Sequence, residues 1–178
     1  MFSVVADVGH SRESGRGATG FLRLGGREMR CALGRAGIRS AADKREGDGA
    51  TPAGHWPLRN VLWRPDRMAA PSTRLPVRAI EPDDGWCDAP RDAAYNLPVR
   101  LPYPASAERL WRNDEVYDLV VVLGYNDAPV VPGVGSAIFL HVARPDYAAT
   151  EGCIAIARDH LLELVARAAP GDAVLVAP

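Results

Sequence analysis

The chain has 178 residues, long enough for one domain with a substantial buried core, and its apolar (47%) and charged (24%) fractions are those of a soluble globular protein. A formal net charge of −1 argues against a general nucleic-acid binder or a polybasic membrane binder. No apolar run approaches the roughly 18 residues of a membrane-spanning helix, and three widely separated cysteines do not make a disulfide framework.

In chain order, the opening "MFSVVADVGHSRESGRG" has no basic stretch followed by a long apolar one, so it does not read as a secretory signal. Residues 11–50 hold nine basic groups against five acidic ones, a local +4 that leaves −5 elsewhere. This is either a solvated, arginine-rich sheet face or a positive neighbourhood for an anionic ligand. Short alternating or apolar runs then recur: "TGFLRLGG", "EMRCALG", "RNVLW", "LPVRAI", "YDLVVVLGY", "SAIFLHVA" and "DAVLVAP". Gly, Pro or Asp separates most of them, as expected of a β-rich sheet. Residues 64–76 and 81–104 are punctuated by proline and read as long packed loops. Two helices are expected, over 106–112 with Ser106 as N-cap and over 159–168 with Asp159 as N-cap. The pattern predicts a mostly β single domain over 1–178 with one or two short helices.

Chemistry concentrates in "FLHVARPDYAATEGCIAIA", residues 139–157, where a histidine and a cysteine lie on two apolar runs joined by a loop. His141 and Cys153 are either a base and its nucleophile or two ordinary interior residues. Gly152 before Cys153 permits a sharp turn that leaves amide N–H groups facing a developing oxyanion. Cys31 sits in a strand-like run and reads as a small buried hydrophobe. Cys87 lies beside Asp84 and Asp88, whose charges disfavour a thiolate. A zinc site is not expected: there is no H-E-x-x-H and no C-x-x-C, and His10, His55 and His160 fall at unrelated spacings.

"TPAGHW" (51–56), "GSAIFLHV" (135–142) and "TEGCIAI" (150–156) together resemble the catalytic domain of the YkuD-type L,D-transpeptidases, over about residues 17–178. The resemblance implies the mixed β-sheet or β-sandwich of that catalytic fold, and it favours catalysis at the histidine–cysteine pair. It implies Cys153 as nucleophile, His141 as its base, Gly152 as the turn before the nucleophile, and Thr150 at the Ser/Thr position of the motif. Three departures stand out: Glu151 replaces the family's histidine, Ala155 replaces its arginine or asparagine, and the loop between base and nucleophile is short. Together with "KREGDG", "DDGWCDAP", "YN" and "GYND", they place the chain in a divergent branch.

The implied reaction is acyl transfer without a cofactor. The Cys153 thiolate attacks a stem-peptide carbonyl of peptidoglycan, and a second stem's amine takes the acyl group from the thioester. The crosslink is of the 3-3 type if that amine is on diaminopimelate, or of the 1-3 type if it is that of L-alanine. The same site could serve an L,D-carboxypeptidase or amidase, or survive in a non-catalytic peptidoglycan-binding module. Peptidoglycan stem peptides are thus the expected partners, and the periplasm or cell envelope the expected location. Trp86, Tyr95, Asn96, Tyr125 and Asn126 sit in loops bounded by Gly or Pro and are candidates to line the substrate groove or to anchor those loops, and Arg144 and Thr150 are further substrate-binding candidates. Arg144 and Arg158 are candidate partners for Glu151, whose carboxylate is expected to turn outward, since an inward charge beside the thiol would oppose its ionisation.

Overall fold

The computed structural model describes residues 18–177 and, as backbone, the strand at 2–6. His10, Arg12, Glu13 and Arg16, and most of the opening stretch read for a secretory signal, lie outside the described residues. The chain begins with β1 (Phe2–Ala6), β2 (Thr19–Leu24) and β3 (Arg27–Ala32). Positive φ at both Gly25 (57°) and Gly26 (81°) makes the two-residue turn between β2 and β3, whose twist matches the flanking strands. Two short strands, β4 (Ile38–Arg39) and β5 (Thr51–Pro52), pair in parallel and lead into the long β6 (Gly54–Trp63). There follow β7 (Val77–Ala79), β8 (Asp84–Cys87), β9 (Pro98–Arg100) and β10 (Ala107–Arg109). The chain ends with β11 (Leu119–Leu123), β12 (Phe139–Val142), β13 (Ile154–Ile156), α1 (Arg158–Arg167) and β14 (Ala173–Ala177).

Nine strands form one mixed sheet in the order β11-β12-β13-β3-β2-β1-β14-β6-β7. A further pairing of β11 with β6 closes this sheet on itself, so its interior face becomes the main core. Leu22, Leu24, Met29, Val61, Leu140, Ile154 and Val174 meet there, and α1 contributes Leu161, Leu164 and Val165. β8, β9 and β10 make a separate small sheet. It covers the outer face of β11 and β12, with Trp86 packed on a second apolar cluster that includes Val120, Val122 and Phe139. Apolar residues at every position of β11 follow from this, because Leu119, Val121 and Leu123 point into the first cluster and Val120 and Val122 into the second.

Two expectations change. Residues 106–112 are not a helix, since Ala107–Arg109 pair antiparallel with Gly85–Cys87. A seven-residue helix is too short to hold itself in water, whereas a strand edge satisfies the same backbone groups and sends Leu110 into the second cluster. Residues 81–104, read as loop, supply β8 and β9 of the same small sheet. The C-terminal helix forms one residue earlier than expected, with Ala157 at the N-cap and Asp159 inside the first turn, where its charge still suits the helix dipole.

Candidate active site

Strand parity decides whether His141 and Cys153 can meet. β12 and β13 run parallel with Leu140 opposite Ile154 and His141 opposite Ala155. Leu140, Val142, Ile154 and Ile156 point into the main core, so Phe139, His141 and Cys153 share the other face. His141 and Cys153 both line a cleft of about 580 Å³ between that face and the small sheet.

The turn before Cys153 is held from three sides. Gly34 bridges Thr150, with Thr150 N–H donating to the Leu33 carbonyl at 2.9 Å and Arg35 N–H to the Thr150 carbonyl at 2.8 Å. Thr150 Oγ1 donates to the Cys153 carbonyl at 2.6 Å and accepts from Gly152 N–H at 3.2 Å. Gly152 has φ 144°, and a Cβ there would lie 2.9 Å from the Ala50 carbonyl oxygen, so the position needs glycine both for its backbone and for space. The Gly152 N–H, expected to face an oxyanion, is therefore occupied by Thr150.

The Cys153 thiol donates to the Ala137 carbonyl at 3.2 Å and accepts from Phe139 N–H at 3.4 Å. Burial pushes its pKa up to about 12, the nearby Glu108 carboxylate pushes the same way, and the Phe139 N–H opposes both. His141 Nδ1 lies 3.0 Å from the Val142 carbonyl. A carbonyl only accepts, so this contact puts the proton on Nδ1 and leaves the Nε2 lone pair free. Burial pushes the imidazole pKa down to about 4, with Arg144 and Arg112 adding to the effect. The resting pair is thus a neutral thiol and a neutral imidazole rather than an ion pair.

A family model described as the YkuD L,D-transpeptidase catalytic domain matches residues 19–176. The chain belongs to the YkuD family. No curated protein matches it. Among solved structures, an L,D-transpeptidase from Mycobacterium smegmatis is similar at 16% identity and a TM-score of 0.43, covering 99% of this chain. The chain spans 58% of that protein's length.

In this YkuD domain the remaining candidates separate into two groups. Arg144 and Thr150 line the cleft with the thiol and imidazole. Trp86, Tyr95, Asn96, Tyr125 and Asn126 are not among its lining residues; their polar groups hold the loops behind it and, through Tyr95 to Glu46 and Asn96 to Ala137, two residues of the lining itself. Asn96 is buried with φ 57°; it accepts from Trp86 Nε1 (2.9 Å) and Ala137 N–H (3.0 Å), and donates to the carbonyls of Tyr125 (3.1 Å) and Asn126 (2.8 Å). Tyr95 donates to Glu46, and Tyr125 donates to the Val134 carbonyl while packing edge-on to Trp56. Asn126 closes its own loop through the carbonyls of Val131 and Gly135.

Glu151 turns outward, with its side chain 76% exposed, and pairs with Arg35 at 2.9 Å. Arg144 pairs instead with Asp114, and Arg158 with Asp118 and Glu115. The basic 18–50 stretch is likewise spent on internal pairs: Arg23 with Glu28, Arg27 with Glu163, and Arg39 and Lys44 with Asp48. The cleft wall is correspondingly acidic, with Glu46, Asp88, Glu108 and Glu151 against Arg112 and Arg144. Among the described residues, no cluster of three or more His, Cys, Asp or Glu could hold a metal ion.

Two further cleft residues, Glu108 and Tyr117, were not singled out from the sequence. Tyr117 packs edge-on to both Phe139 and His141, and its hydroxyl donates to Glu108 Oε1 at 2.5 Å. "AERL" has no apolar–polar alternation to mark a strand, and the helical reading of 106–112 hid Glu108. Cys31 and Cys87 are buried outside the cleft lining, and burial raises both thiols.

Proposed function

We propose that this YkuD domain joins peptidoglycan stem peptides by acyl transfer through a thioester on Cys153. The observation that carries this reading is the shared face and cleft of Cys153 and His141 within a YkuD domain. A neutral pair acts by general base catalysis: the thiol leaves Ala137, Nε2 of His141 takes its proton, and sulfur adds to the donor carbonyl. The oxyanion is met by the Cys153 amide rather than by Gly152, whose N–H is already bonded. On collapse, the imidazolium returns the proton to the departing amine and the thioester remains. Arg144, at the His141 side of the cleft, suits a carboxylate of the donor stem. A second stem's amine then displaces the sulfur, as diaminopimelate in a 3-3 crosslink or L-alanine in a 1-3 crosslink. Such a reaction belongs in the cell envelope. Among the described residues no helix is long and apolar enough to cross a membrane.

The test is mass spectrometry of muropeptides incubated with purified protein. Crosslinked products are expected with wild type, and Cys153→Ala abolishes them. Cys31→Ser and Cys87→Ser keep the chemistry, because neither thiol lines the cleft. A carbapenem adduct on Cys153, seen by intact mass, is expected as well. Crosslinking by Cys153→Ala would sink the mechanism, and hydrolysed stems as the sole product would assign a carboxypeptidase.

A further inference from the structure

The cleft holds an acid–base couple that the thiol–imidazole chemistry leaves unused. We propose that Glu108 receives the acceptor amine as its ammonium and takes the proton that frees its lone pair for attack on the thioester, an assignment that rests on the acyl transfer proposed above.

An acceptor amine enters as a cation, since such amines have pKa values of roughly 8 to 10, and an ammonium is no nucleophile until a base relieves it. His141 is already committed to the thiol, taking its proton and returning one to the departing sulfur, so the ammonium calls for a second base. Glu108 is placed for it. β10 brings it to the cleft wall, in the same cleft as Cys153 and close enough for its charge to act on the thiol. The Tyr117 hydroxyl fixes Oε1, while Oε2 has no hydrogen-bond partner among the described residues.

The groups around Glu108 are Tyr117, Arg112, Asp88, Glu46 and Cys153. Desolvation raises its proton affinity, as do the charges of Asp88 and Glu46, against the Tyr117 hydrogen bond and Arg112. A carboxylate raised in this way is a better match to an amine than an ordinary one. Asp88 also lines the wall, and its Oδ1 is buried with no hydrogen-bond partner among the described residues, which makes this side of the cleft more attractive to a cation.

The proton balance closes. The ammonium gives one proton to Glu108, and nitrogen adds to the thioester carbonyl. The C–S bond then breaks as the new amide forms. The second proton lost by nitrogen passes to His141 and returns to the departing thiolate, while Glu108 releases its own proton to solvent.

The test reads how the acyl-enzyme divides between amine and water. Wild type and Glu108→Gln are each given a tetrapeptide-stem donor and an amine acceptor from pH 6 to about pH 10. The ratio of crosslinked to hydrolysed product is counted by mass spectrometry. At pH 7 the variant is expected to lower that ratio by about 100-fold, the scale of a lost general base. The gap closes as pH rises, because the acceptor then arrives as free amine. The ratio is internal to the acyl-enzyme, so a smaller folded fraction does not alter it. If Glu108→Gln does not fold, Tyr117→Phe serves instead: removing the donor to Oε1 makes the carboxyl a weaker acid and moves the pH at which the ratio rises upward. An unchanged ratio in Glu108→Gln, a gap that ignores pH, or no movement in Tyr117→Phe overturns the assignment. Failure of wild type to form any acyl adduct on Cys153 overturns the acyl transfer itself, and the role of Glu108 with it.

Discussion

At the scale of single residues, the cleft depends on positions where the backbone has no alternative. Gly152 combines φ 144° with a would-be Cβ 2.9 Å from the Ala50 carbonyl and 3.1 Å from Ile138 Cδ1. Backbone oxygen does not yield as the end of a flexible side chain does, so Gly152→Ala must shift the turn that carries Cys153. We expect a stability loss of about 2 kcal/mol or more. Acylation by a carbapenem should also slow at least about tenfold, because a displaced sulfur loses its near-attack geometry. Urea unfolding and the rate of adduct formation by intact mass check the two parts. Thr150 acts in the same turn through one hydroxyl that accepts from Gly152 and donates to Cys153, a pairing that serine could also make.

At the scale of elements, the small sheet is fastened over β11 and β12 by polar struts as well as by apolar contact. Arg64, itself buried, stacks 3.8 Å from the Trp111 ring and donates to the Arg112 carbonyl. Arg67 and Arg158 both reach Asp118. Asn96 is the most connected strut, since its amide ties Trp86, Ala137 and the 125–126 loop together. Asn96→Ala leaves buried partners unpaired and loses a side chain that tolerates φ 57° better than alanine does, so a loss of about 2–4 kcal/mol is expected. Chemical denaturation measures it. A loss below about 1 kcal/mol would show that the strut does not act as one unit. Ala137, which Asn96 holds at φ 51°, supplies the carbonyl that parks the Cys153 thiol, so the strut also reaches the sulfur proposed as nucleophile.

At the scale of the whole molecule, burying an imidazole and three thiols as neutral groups makes stability depend on pH from both sides. The His141 pKa falls from 6.5 to about 4 on folding. Between those values the unfolded chain binds the extra proton, so stability is complete above pH 6.5 and is lost as pH falls toward 4. The shift corresponds to roughly 3 kcal/mol. Cys31 and Cys153 rise from 9.0 to about 12, and their contribution, complete below pH 9.0, is lost as pH rises toward 12. Urea midpoints at about pH 7, 5.5 and 4.5 should therefore decline in wild type. His141→Asn, which has no imidazole to charge, should show a shallower decline over the same interval.

Local patterning by itself determined the β-rich class, the positions of most main-sheet strands, the C-terminal helix and the pairing of His141 with Cys153 as candidates. Each depends on information a few residues wide: alternation, turn glycines, or a glycine before a cysteine. The family resemblance, carried by "TPAGHW", "GSAIFLHV" and "TEGCIAI", points to the same histidine and cysteine. Tertiary structure alone decided that 106–112 is a strand, because a short segment of mixed propensity takes whichever partner the fold offers, and here that partner is β8. It decided that Asn96, Tyr95 and Tyr125 brace loops behind the cleft, since a loop asparagine or tyrosine looks the same whether its polar atom meets substrate or a carbonyl. It also decided that Glu151 faces Arg35 and that Glu108 and Tyr117 face the thiol. Arg35 and Glu151 are 116 positions apart, and Glu108 on β10 of the small sheet meets Cys153, the residue before β13 of the main sheet, only because one sheet packs over the other.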